Sequence, residues 1–286
     1  MTKHDPLVTI QAGERDTAPL FCIPGAGASV SSFFDLSLGL PTSLPLYGLQ
    51  ARGLEGGLAP YDSVEEAADH YVPRIRAARP GGPYRILGHS FGGWIAFEVA
   101  QRLTTQGLAV DRLYIVDSEA PDATPSPRDI DSAIALAKLV DLYNLVLPSP
   151  IRLGLRECCA LDDDAQLREL HLELVRSGLF HSRTPLEALK GVVRVFHKNV
   201  STDYTPQFCI YTNTWLINAI DGDPEDRLAG VAGWRRFAPD AREWLVSGNH
   251  VTMLSGTHGR ALSAWLTQNL TQPAAMSFIS IADGGS

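Results

Sequence analysis

The sequence predicts an α/β domain, a mainly parallel central sheet flanked by helices, and two observations carry that prediction. Short apolar runs alternate with amphipathic stretches through the first 120 residues, the βαβα rhythm of parallel sheets. Gly88-His89-Ser90-Phe91-Gly92 lies between the apolar run Tyr84-Arg85-Ile86-Leu87 and an amphipathic stretch from Trp94, so a G-x-S-x-G turn joins strand to helix. After Asp117 the rhythm gives way to three helical segments, which predicts a helical lid inserted into the domain.

In chain order, Pro19-Leu20-Phe21-Cys22-Ile23 reads as a buried strand, followed by the loop Pro24-Gly25-Ala26-Gly27-Ala28 and a helix over residues 30–40. Leu46-Tyr47-Gly48-Leu49 is the next strand. Ser63 and Glu66 have capping-box spacing and open a helix to residue 78, which Pro73 should kink or end early. The helix after Ser90 should close with Gly107 at C′. Leu113-Tyr114-Ile115-Val116 then forms a strand ending at Asp117. Helices follow over residues 130–145, 163–178 and 184–199, the last opened by Thr184-Pro185 with Glu187 at capping-box distance. Strands return at 215–220 and 244–246, before a final helix at 260–270. The expected division is a core of residues 1–119 and 200–271, an insertion of residues 120–199 and a disordered tail, 272–286.

The chain has 286 residues, enough for one large domain, and its 45% hydrophobic and 20% charged content is ordinary globular composition. A formal net charge of −8 argues against nucleic acid as a partner. No run approaches the ~18 apolar residues of a membrane span. Met1 to Pro6 contain no apolar signal core, so a cytoplasmic location is expected. Cys22, Cys158, Cys159 and Cys209 show no C-x-x-C spacing and read as free thiols, with Cys22 a small buried hydrophobe. No His/Cys/Asp cluster has zinc-ligand spacing, so no metal site is expected.

The glycines beside Ser90 lack Cβ atoms, which lets the chain turn sharply and present Ser90 Oγ in a strained conformation. The plainer reading is a helix-capping serine in an ordinary βα unit. As a nucleophile, Ser90 requires a base and an orienting acid, in the chain order Ser, acid, His. His250 fits the base, because Trp244-Leu245-Val246 and the turn Ser247-Gly248-Asn249 precede it. His258 stands near the final helix as a surface residue, whereas His89 should face away from the nucleophile and pack. The acid is either Asp117, at the end of the strand after the elbow, or Asp221 or Asp223, after the next strand. Asp221-Gly222-Asp223-Pro224 is also a strong turn sequence. An oxyanion hole would combine the backbone N–H groups of Phe91 and Ala26. Gly25-x-Gly27 is not a dinucleotide fingerprint, because Val30 takes the third glycine position.

Phe21-Cys22-Ile23-Pro24-Gly25-Ala26-Gly27, Tyr47-Gly48-Leu49-Gln50-Ala51-Arg52-Gly53, Gly82-Pro83-Tyr84-Arg85 and Gly88-His89-Ser90-Phe91-Gly92-Gly93, with Val116-Asp117-Ser118 and Gly248-Asn249-His250-Val251-Thr252-Met253-Leu254, resemble one family. It is the C-terminal (type I) thioesterase domains of nonribosomal peptide synthetases and polyketide synthases, within the α/β-hydrolase superfamily. The resemblance covers residues 6–270, the insertion matching only in kind. Ser255-Gly256-Thr257-His258 departs from it, standing where the family often has a proline.

The resemblance implies Asp117 as the acid, with Ser90 and His250 as nucleophile and base. It also implies a peptidyl or acyl carrier protein as partner, whose phosphopantetheine arm delivers the chain and is no cofactor of this protein. Release from an acyl-serine then gives an acid or a macrocycle, from an enzyme expected to be monomeric. The competing readings are a free-standing type II editing thioesterase, a general carboxylesterase without a carrier partner, and a non-enzymatic binding protein.

Overall fold

The computed structural model describes residues 4–121, 130–152 and 164–272. Its seven strands are β1 (Leu7–Gln11), β2 (Leu20–Ile23), β3 (Leu46–Leu49), β4 (Tyr84–His89), β5 (Val110–Val116), β6 (Thr214–Ala219) and β7 (Arg242–Val246). They form one sheet in the order β1-β3-β2-β4-β5-β6-β7. β1 runs antiparallel to β3, and every other neighbouring pair is parallel. The α/β class and mainly parallel sheet expected from the sequence are therefore present. β1 was not foreseen: it is a half-buried edge strand with a register shift between Thr9 and Gln11, so it lacks the alternation that betrays a strand.

Alternate residues of each inner strand face opposite sides, which divides the core in two. Phe21, Ile23, Ile86, Leu113, Ile115 and Leu216 pack beneath α2 (Val64–Ala78), α3 (Phe91–Thr105) and α7 (Pro224–Arg235). Leu20, Cys22, Leu87, Tyr114, Val116 and Ile217 face α1 (Phe34–Leu38) and α8 (Gly256–Thr271). Cys22 is fully buried, as its apolar setting predicts.

Several local expectations need correction. Residues 30–40 are not one helix; a 3-10 turn, Val30–Phe33, precedes the short α1. Val30, Ser31, Ser32 and Phe33 are poor helix formers. Ser63 caps α2 by accepting from Glu66 N–H at 3.0 Å, but Glu66 closes back onto Asp62 N–H, 2.6 Å, and pairs with Arg52. Pro73 does not end α2. Its exposed position puts the Asp69 carbonyl, which the missing N–H of Pro73 leaves without a helical partner, on the solvent side.

Between β5 and β6 lie α4 (Ser132–Asn144), α5 (Asp164–Arg176) and α6 (Leu186–Val200). The cap of α6 is Pro185 rather than Thr184, whose N–H donates to His181 O and whose carbonyl accepts from His171. Leu139 and Val140, Leu170 and Leu174, and Leu189 and Phe196 close a small core of their own. Cys158, Cys159 and the predicted tail beyond Gln272 lie outside the described residues.

Entry to this segment is pinned by Trp234 and Trp94, whose Nε1–H groups donate to Ser118 O and Glu119 O, each at 2.8 Å. Exit is pinned by Tyr204, whose hydroxyl donates to the buried carboxylate of Glu98 at 2.9 Å. Tyr204→Phe should remove that donor and cost about 1–3 kcal/mol, because a buried acceptor loses a partner. The expected readout is a lower urea midpoint with an unchanged m-value.

Candidate active site

β4 ends at His89 and α3 begins at Phe91, so Ser90 alone makes the reversal between them. Its backbone sits at φ 54°, ψ −129°, the strained conformation expected for it, worth roughly 1–3 kcal/mol. Ser90 N–H donates to Val116 O, and Gly93 N–H donates to Ser90 O, both at 2.8 Å, and these bonds hold the turn. A Cβ at Gly88 would lie 2.1 Å from the carbonyl oxygen of Gly92, so the helix can start this close only above a glycine.

Asp117 follows β5 with φ 44°, a second left-handed non-glycine residue. Its N–H donates to Ile217 O at 2.7 Å, and its Oδ1 accepts from Ala219 N–H at 2.8 Å. Its Oδ2 lies 2.7 Å from His250 Nδ1. Burial pushes the Asp117 carboxyl upward, but the hydrogen bonds from His250 and Ala219 and the charge of His250 outweigh it, and the net shift is downward. Asp117 is thus an ionised acceptor, so Nδ1 of His250 carries the hydrogen and Nε2 offers its lone pair. That nitrogen stands 3.1 Å from Ser90 Oγ. A hydroxyl, an imidazole and a carboxylate are so linked in one line, an arrangement able to take a proton from Ser90 and stabilise the resulting imidazolium.

The structure brings His250 to Asp117 and not to Asp221 or Asp223. Asp223 caps α7 by accepting from Glu225 N–H at 2.8 Å, and Asp221 is exposed with its N–H on Gly248 O. His258 is partly buried, and its Nδ1 lies 2.8 Å from Ser247 Oγ.

Phe91 is the first residue of α3, where a backbone N–H has no acceptor within the helix. Ala26 sits in a tight turn closed by Ala28 N–H on Gly25 O, and a Cβ at Gly25 would approach Ser90 Cβ to 3.0 Å. The turn carrying Ala26 therefore lies against the serine. A partly enclosed cavity borders Gly25 and Phe91 and is walled by Arg52, Tyr61, Val195 and Asn199.

One feature of the site was not legible. His89 packs as expected, but it packs against His250: its Nε2 is 2.8 Å from His250 O and the two rings are 4.9 Å apart. The inserted helices also touch the site loops. Asn249 Nδ2 donates to Leu145 O at 3.0 Å, and a Cβ at Gly27 would meet Phe196 Cβ at 2.9 Å. Among the described residues no group of three His, Cys, Asp or Glu could hold a metal ion, and no helix is long and apolar enough to cross a membrane.

Burial, then the charge of His250, holds His89 down at about 4. An unfolded histidine binds a proton near ~6.5, so neutral His89 contributes stability fully above that pH and loses it as pH falls towards 4. Asp117, held low, loses its contribution in the same direction. The expected result is that wild type loses more stability between pH 7.5 and pH 5 than His89→Gln does, measured by urea unfolding at both pH values.

The sequence profile described as "Thioesterase domain" matches residues 18–268. Aspulvinone E synthetase melA of Aspergillus terreus is 29% identical over 282 residues, 94% of this chain and 30% of that protein. Malpinin synthetase of Mortierella alpina is 39% identical over 157 residues, 52% of this chain and 2% of that protein. The chain spans under a third of the length of these relatives. The four-domain nonribosomal peptide synthetase AB3403 superposes with a TM-score of 0.80 at 22% identity, over 95% of this chain and 20% of that one. The Vlm2 thioesterase domain bound with a dodecadepsipeptide gives 0.69 at 21%, covering 94% of this chain and 99% of that one. The type II thioesterase BorB gives 0.67 at 19%, with the same coverage. With the match running from β2 into α8, across every element that carries the site, the chain belongs to the thioesterase domain family.

Proposed function

We propose that this thioesterase releases an acyl or peptidyl chain from the phosphopantetheine arm of a carrier protein through an acyl-Ser90 intermediate, with Asp117 and His250 completing the triad. The observation that carries the reading is the unbroken hydrogen-bonded line Asp117–His250–Ser90 at the elbow of a thioesterase domain. That the relatives are synthetases supports a carrier-bound substrate.

In the first half-reaction His250 Nε2 takes the Ser90 proton as Oγ attacks the thioester carbonyl. The tetrahedral oxyanion forms against the N–H groups of Phe91 and Ala26. Collapse expels the pantetheine thiolate, which takes the proton from the imidazolium. In the second half-reaction His250 deprotonates water, or a hydroxyl or amine within the chain itself, and Ser90 Oγ departs with that proton. Water yields the linear acid and an internal nucleophile yields the macrocycle. No cofactor held by this chain enters either step.

Residues 120–199 serve as the lid over this centre, a role supported by the contacts of Leu145 and Phe196 with the base loop and the turn carrying Ala26. A type II editing thioesterase is the alternative, and the BorB likeness favours the fold of the two classes equally.

Ser90→Ala should abolish both turnover and fluorophosphonate labelling while keeping the wild-type unfolding midpoint. Asp117→Asn should lower turnover by about 10³–10⁴-fold, whereas Asp221→Asn should leave it near wild type. Matched chains offered as a pantetheine thioester and as an oxygen ester should show a clear preference for the thioester; equal rates on short unrelated esters would indicate a general esterase. Product masses then separate the two endings, a macrocycle being lighter than the linear acid by one water.

A further inference from the structure

His89 is buried, 7% exposed, at the last position of β4, beside the serine in sequence. A buried histidine needs partners for two ring nitrogens, and one of them is the carbonyl oxygen of His250, 2.8 Å from Nε2. A carbonyl only accepts, so Nε2 carries a hydrogen and donates it. The two rings lie 4.9 Å apart at 35°. The titratable groups acting on His89 are His250, from the loop after β7, and Asp117, from the end of β5; in the turn after β2, a Cβ at Gly25 would lie 3.4 Å from Nδ1.

We propose that His89 is a positioning residue for His250, holding the base loop by its own backbone so that Nε2 stays within reach of Ser90 Oγ. The proposal rests on the reading of Ser90 and His250 as nucleophile and base. Asp117 fixes the ring of His250 through Nδ1, while the bonds from Asp221 N–H to Gly248 O and from Asn249 Nδ2 to Leu145 O tie the loop to the segment after β6 and to the end of α4, not to the strand that carries Ser90. The bond from His89 ties that loop to β4, the strand that also carries Ser90. Nucleophile and base are then referenced to a single rigid element, and the distance between them no longer depends on β7, three strands away in the sheet. Because His89 stays neutral, it sets this position without placing a second positive charge beside the imidazolium that forms on His250.

The test compares two substitutions of one chemistry and different reach. The amide nitrogen of His89→Gln falls where Nε2 stands; that of His89→Asn falls at Nδ1 and cannot reach the His250 carbonyl. With a pantetheine thioester of a short peptide as substrate, His89→Gln should keep kcat within about threefold of wild type. His89→Asn should lower kcat up to about 100-fold, the cost of a misplacement near 1 Å, with KM within about twofold. The pH midpoint of kcat/KM should move in His89→Asn alone. Equal behaviour of the two variants, or an unmoved pH midpoint in His89→Asn, would overturn the proposal and leave His89 a packing residue. Ser90→Ala run alongside separates the two levels: wild-type turnover in that variant would remove the triad reading, whereas a dead Ser90→Ala with equal His89 variants would remove the positioning role only.

Discussion

Between β4 and α3 the chain reverses within one residue, and the neighbouring elements are arranged around that reversal. With Ser90 at φ 54°, α3 must begin almost in contact with the strands beneath it. A Cβ at Gly92 would stand 2.3 Å from Ile23 O, so the first turn of the helix lies directly over β2. That closeness brings the turn after β2, with Gly25 and Ala26, beside the start of α3, with Phe91. The helix start also adds its partial positive charge where an oxyanion would form. A side chain at either glycine would lift the helix and separate these two sets of N–H groups. The strain at Ser90 is therefore inseparable from the placement of the candidate oxyanion donors.

The parallel sheet supplies the rest by lining up strand ends. His89 pairs with Val116, Val116 with Ile217, and Ala219 with Val246, so the C-terminal ends of β4 to β7 share one edge. Each strand delivers something there: Ser90 from β4, Asp117 from β5, a stabilising N–H at Ala219 from β6, and His250 beyond β7. This is the crevice outside the carboxyl ends of strands where α/β sheets bind ligands. Asp117 needs its left-handed backbone for the same reason that Ser90 does, since its side chain must turn along the edge towards the next strands.

Much of this was legible because glycine spacing, short apolar runs and chain order can be read directly from the sequence. They located Ser90, and they narrowed the base to His250. Bottom-up, they put Asp117 only modestly ahead of Asp221 and Asp223, because which strand end lies nearer His250 is a tertiary fact; family resemblance widened the difference. β1 was missed since an edge strand half-exposed on both faces has no alternation to read. Of the kink or early end suggested by Pro73, the early end does not occur, because the proline lies on the exposed side of α2, and Thr184 is not the cap because its backbone is engaged by His181 and His171. His89 was assigned to packing correctly, but its partner, a carbonyl 161 residues away, leaves no mark on the local sequence.

The inserted helices bear on chemistry through two contacts that differ in kind. α6 presses Phe196 on Gly27, which constrains the turn carrying Ala26, and the end of α4 accepts from Asn249, the residue before the base. Asn249 is held from both ends, since its Oδ1 also accepts from the N–H groups of Val251 and Thr252. A shift of α4 therefore loads the turn that carries His250, while a shift of α6 loads the oxyanion side. An acyl-serine ester in contact with ~55 M water is hydrolysed unless an internal nucleophile is held at far higher effective molarity and water is kept out. On the proposed function, helices that contact both the turn of His250 and the turn carrying Ala26 would couple these requirements, since one arrangement would exclude water and hold Asp117, His250 and Ser90 in line. On the proposed function, the Asp117–His250–Ser90 geometry serves both outcomes, and the partition between acid and macrocycle would fall to the contacts between the insertion and the bound chain.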